Sequence, residues 1–165
     1  MSLDTRNPAD VEHLLWDEIE RRQVGMLMLV GGAPRHAHPM TAFVERDHRQ
    51  LWFFADTASE IVQGIGVGQA AMFVWQQPDI QACIGGQVTV EHDRGRMDRY
   101  WNAVVAAWHP RGRQDPRLTL LRFDCEDALV WISTAGPMRT VWEIAKATAT
   151  HRPPDVGVNA HLTFH

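Results

Sequence analysis

The chain reads as a mainly β (α+β) fold, one barrel of antiparallel strands with helices around its rim. Three observations predict it. Strand-length apolar segments outnumber helical ones. They fall in adjacent groups joined by short turns, which favours hairpins over parallel crossovers. At 165 residues the chain suits one domain, 1–165, and is too short for two full ones. A tail from about residue 149 is expected to be extended.

Asn7-Pro8 opens the first helix, with Asn as N-cap and Pro at the first helical position. Val11, Leu14, Leu15 and Ile19 follow at helical spacing, so the helix is placed over about 8–22. Val24 to Val30 is an apolar run of strand length, and Gly31-Gly32-Ala33-Pro34 is a turn. Ala37 to Glu45 returns as its hairpin partner. Leu51 to Ala55 is aromatic and apolar at every position, so it is expected in the middle of the sheet.

Thr57-Ala58-Ser59-Glu60 fits a capping box, with Thr57 as N-cap and Glu60 at N3. A short helix carrying Ile61 and Ile65 should end at Gly66 and Gly68. Ala70 to Trp75 and Ile80 to Glu91 are the next strands, with Gly85-Gly86 marking a bulge or a close approach. Met97, Tyr100, Trp101, Val104, Val105 and Trp108 make one apolar stripe on a helix over 93–108. Such a stripe belongs to a core or a dimer interface. Leu118 to Asp124 and Ala128 to Ser133 read as two strands. Pro137 to about Thr148 reads as a last helix, and the tail from Arg152 as extended and polar.

The net charge is −4 and the pI about 6.1. That balance speaks against a nucleic-acid or anionic-membrane binder, which needs a basic face. Cys83 and Cys125 are the only cysteines, so neither a disulfide framework nor a paired-cysteine metal site is expected. Two buried thiols in a reducing compartment fit better. No apolar leader and no run of 18 apolar residues is visible, and a cytoplasmic location is expected by elimination. Seven tryptophans beside one tyrosine point to large flat side chains in the core or at a subunit contact. One or two of them could face a planar ligand.

The common catalytic signatures GxSxG, HExxH and the P-loop do not occur. The glycines of Gly64-Ile65-Gly66-Val67-Gly68 alternate and do not make a dinucleotide loop. His36 and His38 would share one face of a strand. A metal needs a third ligand at fixed spacing, and none is in view, so no metal is expected. The Thr57–Glu60 segment suits a phosphate through free N–H groups and hydroxyls. Taken alone it suits a plain helix cap better, and Glu60 would repel an anion.

Taken in order, several motifs resemble one family. They are His38-Pro39-Met40, Leu51 to Ser59, Ile84 to Val88, Tyr100-Trp101-Asn102, Trp108 to Gly112, Asp115-Pro116 and Ala128 to Trp131. Val141 to Ala147 and Gly157-Val158-Asn159 extend the likeness to the C-terminal segment. The chain resembles the general stress protein 26-like branch of the pyridoxamine 5'-phosphate oxidase-related proteins. That resemblance implies a split β-barrel of antiparallel strands with flanking helices. It also implies a homodimer binding FMN, or FAD, at the subunit interface. The phosphate would lie near His38, Pro39, Met40 and Thr41 and the segment from Phe54 to Glu60. The ring would follow those two strands, through Phe53, Phe54, Ala55, Thr57 and Ser59. Gln81 matches a flavin-contacting glutamine of related oxidases.

Two positions depart from the family's pattern: His38 stands for an arginine, and Glu60 for a lysine. Each lost charge-assisted hydrogen bond is worth about 1.5–3 kcal/mol. A flavin-dependent oxidoreductase with an unassigned substrate is the first expectation, with a stress role. A flavin-binding protein without turnover, or a flavin-free dimeric interaction module, is the alternative.

Overall fold

The computed structural model describes residues 7–133, 144–149 and 157–165. Helix α1 (Pro8–Arg21) starts as expected, with Asn7 accepting from Ala9 N–H. Its buried face is Val11, Leu15, Trp16 and Ile19, which closes over the main core.

The strands are β1 (Val24–Leu29), β2 (His38–Thr41), β3 (Phe43–Glu45), β4 (Gln50–Asp56), β5 (Gln69–Gln76), β6 (Ile80–Glu91), β7 (Leu118–Ser133) and β8 (Gly157–Thr163). They form one sheet in the order β2-β1-β5-β6-β7-β4-β3, with β8 added to β7. Every pairing is antiparallel. The two edge strands β2 and β3 are consecutive in sequence, separated only by the fully buried Ala42. The sheet is therefore curled until its edges approach, and β2 comes close to β4. This is the split β-barrel expected from the sequence. The 37–45 strand is thereby two strands, each serving a different edge.

The bulge lies where the glycine pair predicted it, between Gly85 and Gly86. A Cβ on Gly86 would sit 2.1 Å from Asp124 O, so only glycine allows β6 and β7 to approach there.

Three expectations need correction. The 93–108 helix is two, α3 (Arg94–Tyr100) and α4 (Ala103–Trp108). Asn102 breaks it by accepting from Val104 and Val105 N–H, both at 2.9 Å. Its apolar stripe is buried mainly at Met97 and Val105, while Trp108 is 78% exposed. The two strands over 118–133 are one long β7, because Cys125 to Asp127 keep pairing with neighbouring strands. The polar tail contains β8, whose Leu162 and the following Phe164 are buried, with the Phe164 ring 5.4 Å from that of Trp16. The last expected helix lies partly outside the described residues, and 144–149 are helical.

Candidate functional site

Strand register decides where each expected site residue points. His38 pairs with Leu27 and Met40 with Gly25. Directly opposed residues share a face, and Leu27 is fully buried. His38 and Met40 therefore face the barrel interior. Pro39 and Thr41 pair with the exposed Met26 and Val24 and face outward. On β4 the pattern repeats: Phe53 and Ala55 lie in the main core, and Phe54 lies on the other face.

Phe54 is roofed by α3 and α4. Its ring meets Phe43 edge-on at 5.8 Å and Trp101 at 5.9 Å, and lies 6.2 Å from His109. Burial pushes the His109 imidazole below the usual histidine range, and Asp56 and Asp115 oppose that shift.

The turn after β4 is tied together by its own groups. Asp56 Oδ1 accepts from Ala58 N–H at 2.7 Å, and the Ser59 hydroxyl donates to Asp56 O at 2.7 Å. Arg117 grips the Asp56 carboxylate at 3.1 and 2.8 Å. The Ala58 amide first, and Arg117 next, hold the Asp56 carboxyl below its ordinary range. Helix α2 (Glu60–Gln63) follows, with Ser59 at the N-cap and no side-chain cap bond. The Thr57–Glu60 capping box is thus not formed. Asp56 takes over the turn, which the preference of Asp for such local bonds explains. A Cβ on Gly64 would meet Ala33 O at 2.1 Å, so the loop after β1 lies directly on the end of α2.

The expected set does not converge in one chain. His38–Thr41 and Phe53–Glu60 share one side of the barrel, where β2 approaches β4. Gln81 lies on β6, three strands along the sheet from β2, or roughly 14 Å at the usual strand spacing. Its amide donates to Gln77 O at 3.0 Å. Counted from Ser59, a Ser-x-Lys pattern ends on Ile61 rather than Glu60. Ile61 is 2% exposed, so an apolar core residue stands there while Glu60 faces solvent. His36 precedes β2 in a bend, so the shared strand face with His38 does not arise. Among the described residues no group of three or more His, Cys, Asp or Glu is placed to hold a metal ion. No helix among them is long and apolar enough to cross a membrane.

Two surface clefts flank α3. One of about 240 Å3 is lined by His92, Arg94, Met97, Arg113, Asp115 and Leu118. The other, of about 360 Å3, is lined by Glu45, Arg46, His48, Arg96 and Arg99 among others. Neither is lined by a residue of the expected flavin set.

Sequence reading missed two features. The first is Glu45, whose side chain is 9% exposed. It accepts from Arg96 at 2.9 and 3.0 Å and also from Arg99 and Tyr100. The hydrogen bond from Arg96 chiefly holds its carboxyl below the ordinary glutamate range. A depressed folded value means that Glu45 stabilises the fold fully above the ordinary glutamate range, about 4.3. That contribution is lost as pH falls from there through the folded value. Glu45→Gln is therefore expected to lower the urea midpoint at neutral pH and to flatten its acid dependence relative to the parent. Equal slopes for the two proteins below about pH 5 would contradict this role.

The second is the outer face of β1, β5, β6 and β7. Met26 pairs with Val74, Val74 with Cys83, and Cys83 with Leu129, so the four side chains form one row. Trp131, beside it, is 41% exposed, and Val24 62%. The signal was present in the sequence: β1 and β5 are apolar at both parities, the pattern of strands with two covered faces. Among the described residues, only one of those faces is covered.

Comparisons with known proteins agree with this fold. The family model described as pyridoxamine 5'-phosphate oxidase like matches residues 10–155. A structure assigned as general stress protein 26 from Jannaschia sp. CCS1 is 32% identical, with a TM-score of 0.76, covering 94% of this chain and 99% of that one. The general stress FMN/FAD binding protein of Xanthomonas citri is 30% identical, with a TM-score of 0.71, covering 78% of this chain and 92% of that one. A protein related to general stress protein 26 from Clostridium acetobutylicum shares the fold at 14% identity and a TM-score of 0.63, over 93% and 96% of the two chains. No curated protein matches the chain.

Proposed function

The chain belongs to the pyridoxamine 5'-phosphate oxidase-like family, and on that premise we propose that it binds a flavin between two copies of itself and works as a flavin-dependent oxidoreductase. FMN is the first ligand expected and FAD the second. The observation that carries the reading is the open apolar outer face. It runs from Pro39 and Thr41 on edge strand β2, through Met26 and Val74, to Leu129 and Trp131. A monomer gains nothing from exposing such a surface. A flat apolar ring and a second chain would both cover it. The separation of Gln81 from β2 fits a site completed by a partner, because one chain cannot bring them together.

The relative from Xanthomonas citri, an FMN/FAD binding protein, supports the choice of ligand. A bound flavin supplies hydride or electron transfer, and the protein supplies binding, orientation and electrostatics. That division agrees with the lack of a nucleophile–base signature in the sequence.

The test is a titration of the purified protein with FMN and FAD, followed by flavin fluorescence and by melting. A ligand at about 100 times its Kd stabilises the native state by about 2.7 kcal/mol. For a domain of this size that raises Tm by roughly 5–10 °C. A colourless protein whose Tm neither flavin moves would contradict the reading.

A further inference from the structure

We propose that the site holds its flavin by the apolar ring and leaves the terminal phosphate without a cation, so that riboflavin binds as well as FMN. This inference rests on the flavin reading above.

The residues around the expected phosphate position carry the argument. A terminal phosphate brings about −1.5 to −2 charges and is normally met by arginine or lysine. His38 does not meet that need. Its ring lies on the inner face opposite Leu27, and its Nε2 is sealed from solvent without a hydrogen-bond partner. Ile61 is buried in the core. Arg117 is committed to Asp56 through two contacts. The Ser59 hydroxyl already donates to Asp56 O, and the Gln63 amide to Thr57 O. The charged group that faces solvent at the start of α2 is the carboxylate of Glu60.

Among the described residues of β4, the turn after it and α2, together with Arg117, the charges are therefore one ion pair plus the Glu60 carboxylate. Such a surface gives a phosphate dianion no advantage. Arg35, on the loop before β2, is the neighbouring cation in sequence. It is exposed and makes no ion pair among the described residues.

The experiment titrates the full chain with riboflavin and with FMN, reading flavin fluorescence at about 0.05 and 0.5 M salt. The two Kd values are expected to agree within about threefold at both salt concentrations. FMN tighter by about tenfold or more, with the gap closing at high salt, would overturn the inference and leave the flavin reading standing. Loss of that gap in Arg35→Ala would then identify the cation that overturned it. Binding of neither flavin would overturn both.

Glu60→Lys gives a second, independent readout. Glu60 is exposed, so the fold should tolerate the change. FMN is expected to gain about tenfold over riboflavin. An unchanged ratio would overturn the placement of the phosphate end beside α2, on which the inference stands.

Discussion

Trp75→Ala is expected to lower the unfolding free energy by about 3–5 kcal/mol, or roughly 6–20 °C in Tm for a domain of this size. Trp75 is fully buried on β5. Its indole N–H donates to Arg22 O at 2.6 Å, which ties the middle of the sheet to the end of α1. Truncation removes the packing of a large ring and leaves that carbonyl without its donor. The two effects separate by chemistry. Trp75→Phe keeps most of the apolar volume and loses the bond, and about 1–3 kcal/mol is expected from the unpaired carbonyl. Urea denaturation of both variants measures the split. Trp108→Ala is the control: at 78% exposure it should stay within about 0.5 kcal/mol of the parent. Comparable losses for Trp75→Ala and Trp108→Ala would show that the barrel core is placed wrongly.

Val74→Lys combined with Leu129→Lys should separate the two copies. Val74 and Leu129 flank Cys83 across three adjacent strands, in the middle of the open apolar face. Each is more than a third exposed in the single chain. In the monomer the lysine stems can lie along the sheet with their ammonium groups in water, at small cost. Between two copies the same groups would be desolvated and face each other as like charges. Truncating a central contact residue already costs about 2 kcal/mol or more. The double variant is therefore expected to weaken self-association by about 10³-fold or more. Its monomer should stay folded and unfold in one transition, with a midpoint below the parent's by the association free energy that is lost. Flavin affinity should fall with the dimer, since the proposed site is shared. A variant that stays dimeric and keeps its flavin would place the interface elsewhere.

Much of the fold was legible because its signals are local. Asn7-Pro8 and the Val11–Ile19 spacing fixed α1. The Gly85-Gly86 pair marked the bulge. The errors came where local and distant signals compete. Asn102 caps a new helix in the middle of an apolar stripe whose spacing continues across the break. Cys125-Glu126-Asp127 looks like a turn but pairs on, because neighbouring strands use its backbone. Strand β8 has too few large apolar residues to show itself, and its place depends on pairing with β7, far away in sequence. The site was less legible than the fold. Which face His38 and Phe54 occupy follows from register, and register is a property of the assembled sheet. The Glu45 cluster joins β3 to α3 across 51 to 55 residues, a distance no local pattern encodes.

A flavin held between two copies of this chain should sediment with both of them, and sedimentation of the FMN-saturated protein, followed at the flavin's visible absorbance, measures this. The flavin signal is expected to move with a species of twice the 18.7 kDa chain mass, and none with a monomer. Flavin co-sedimenting with a single chain, or a protein that sediments as a monomer while the flavin stays behind, would contradict it.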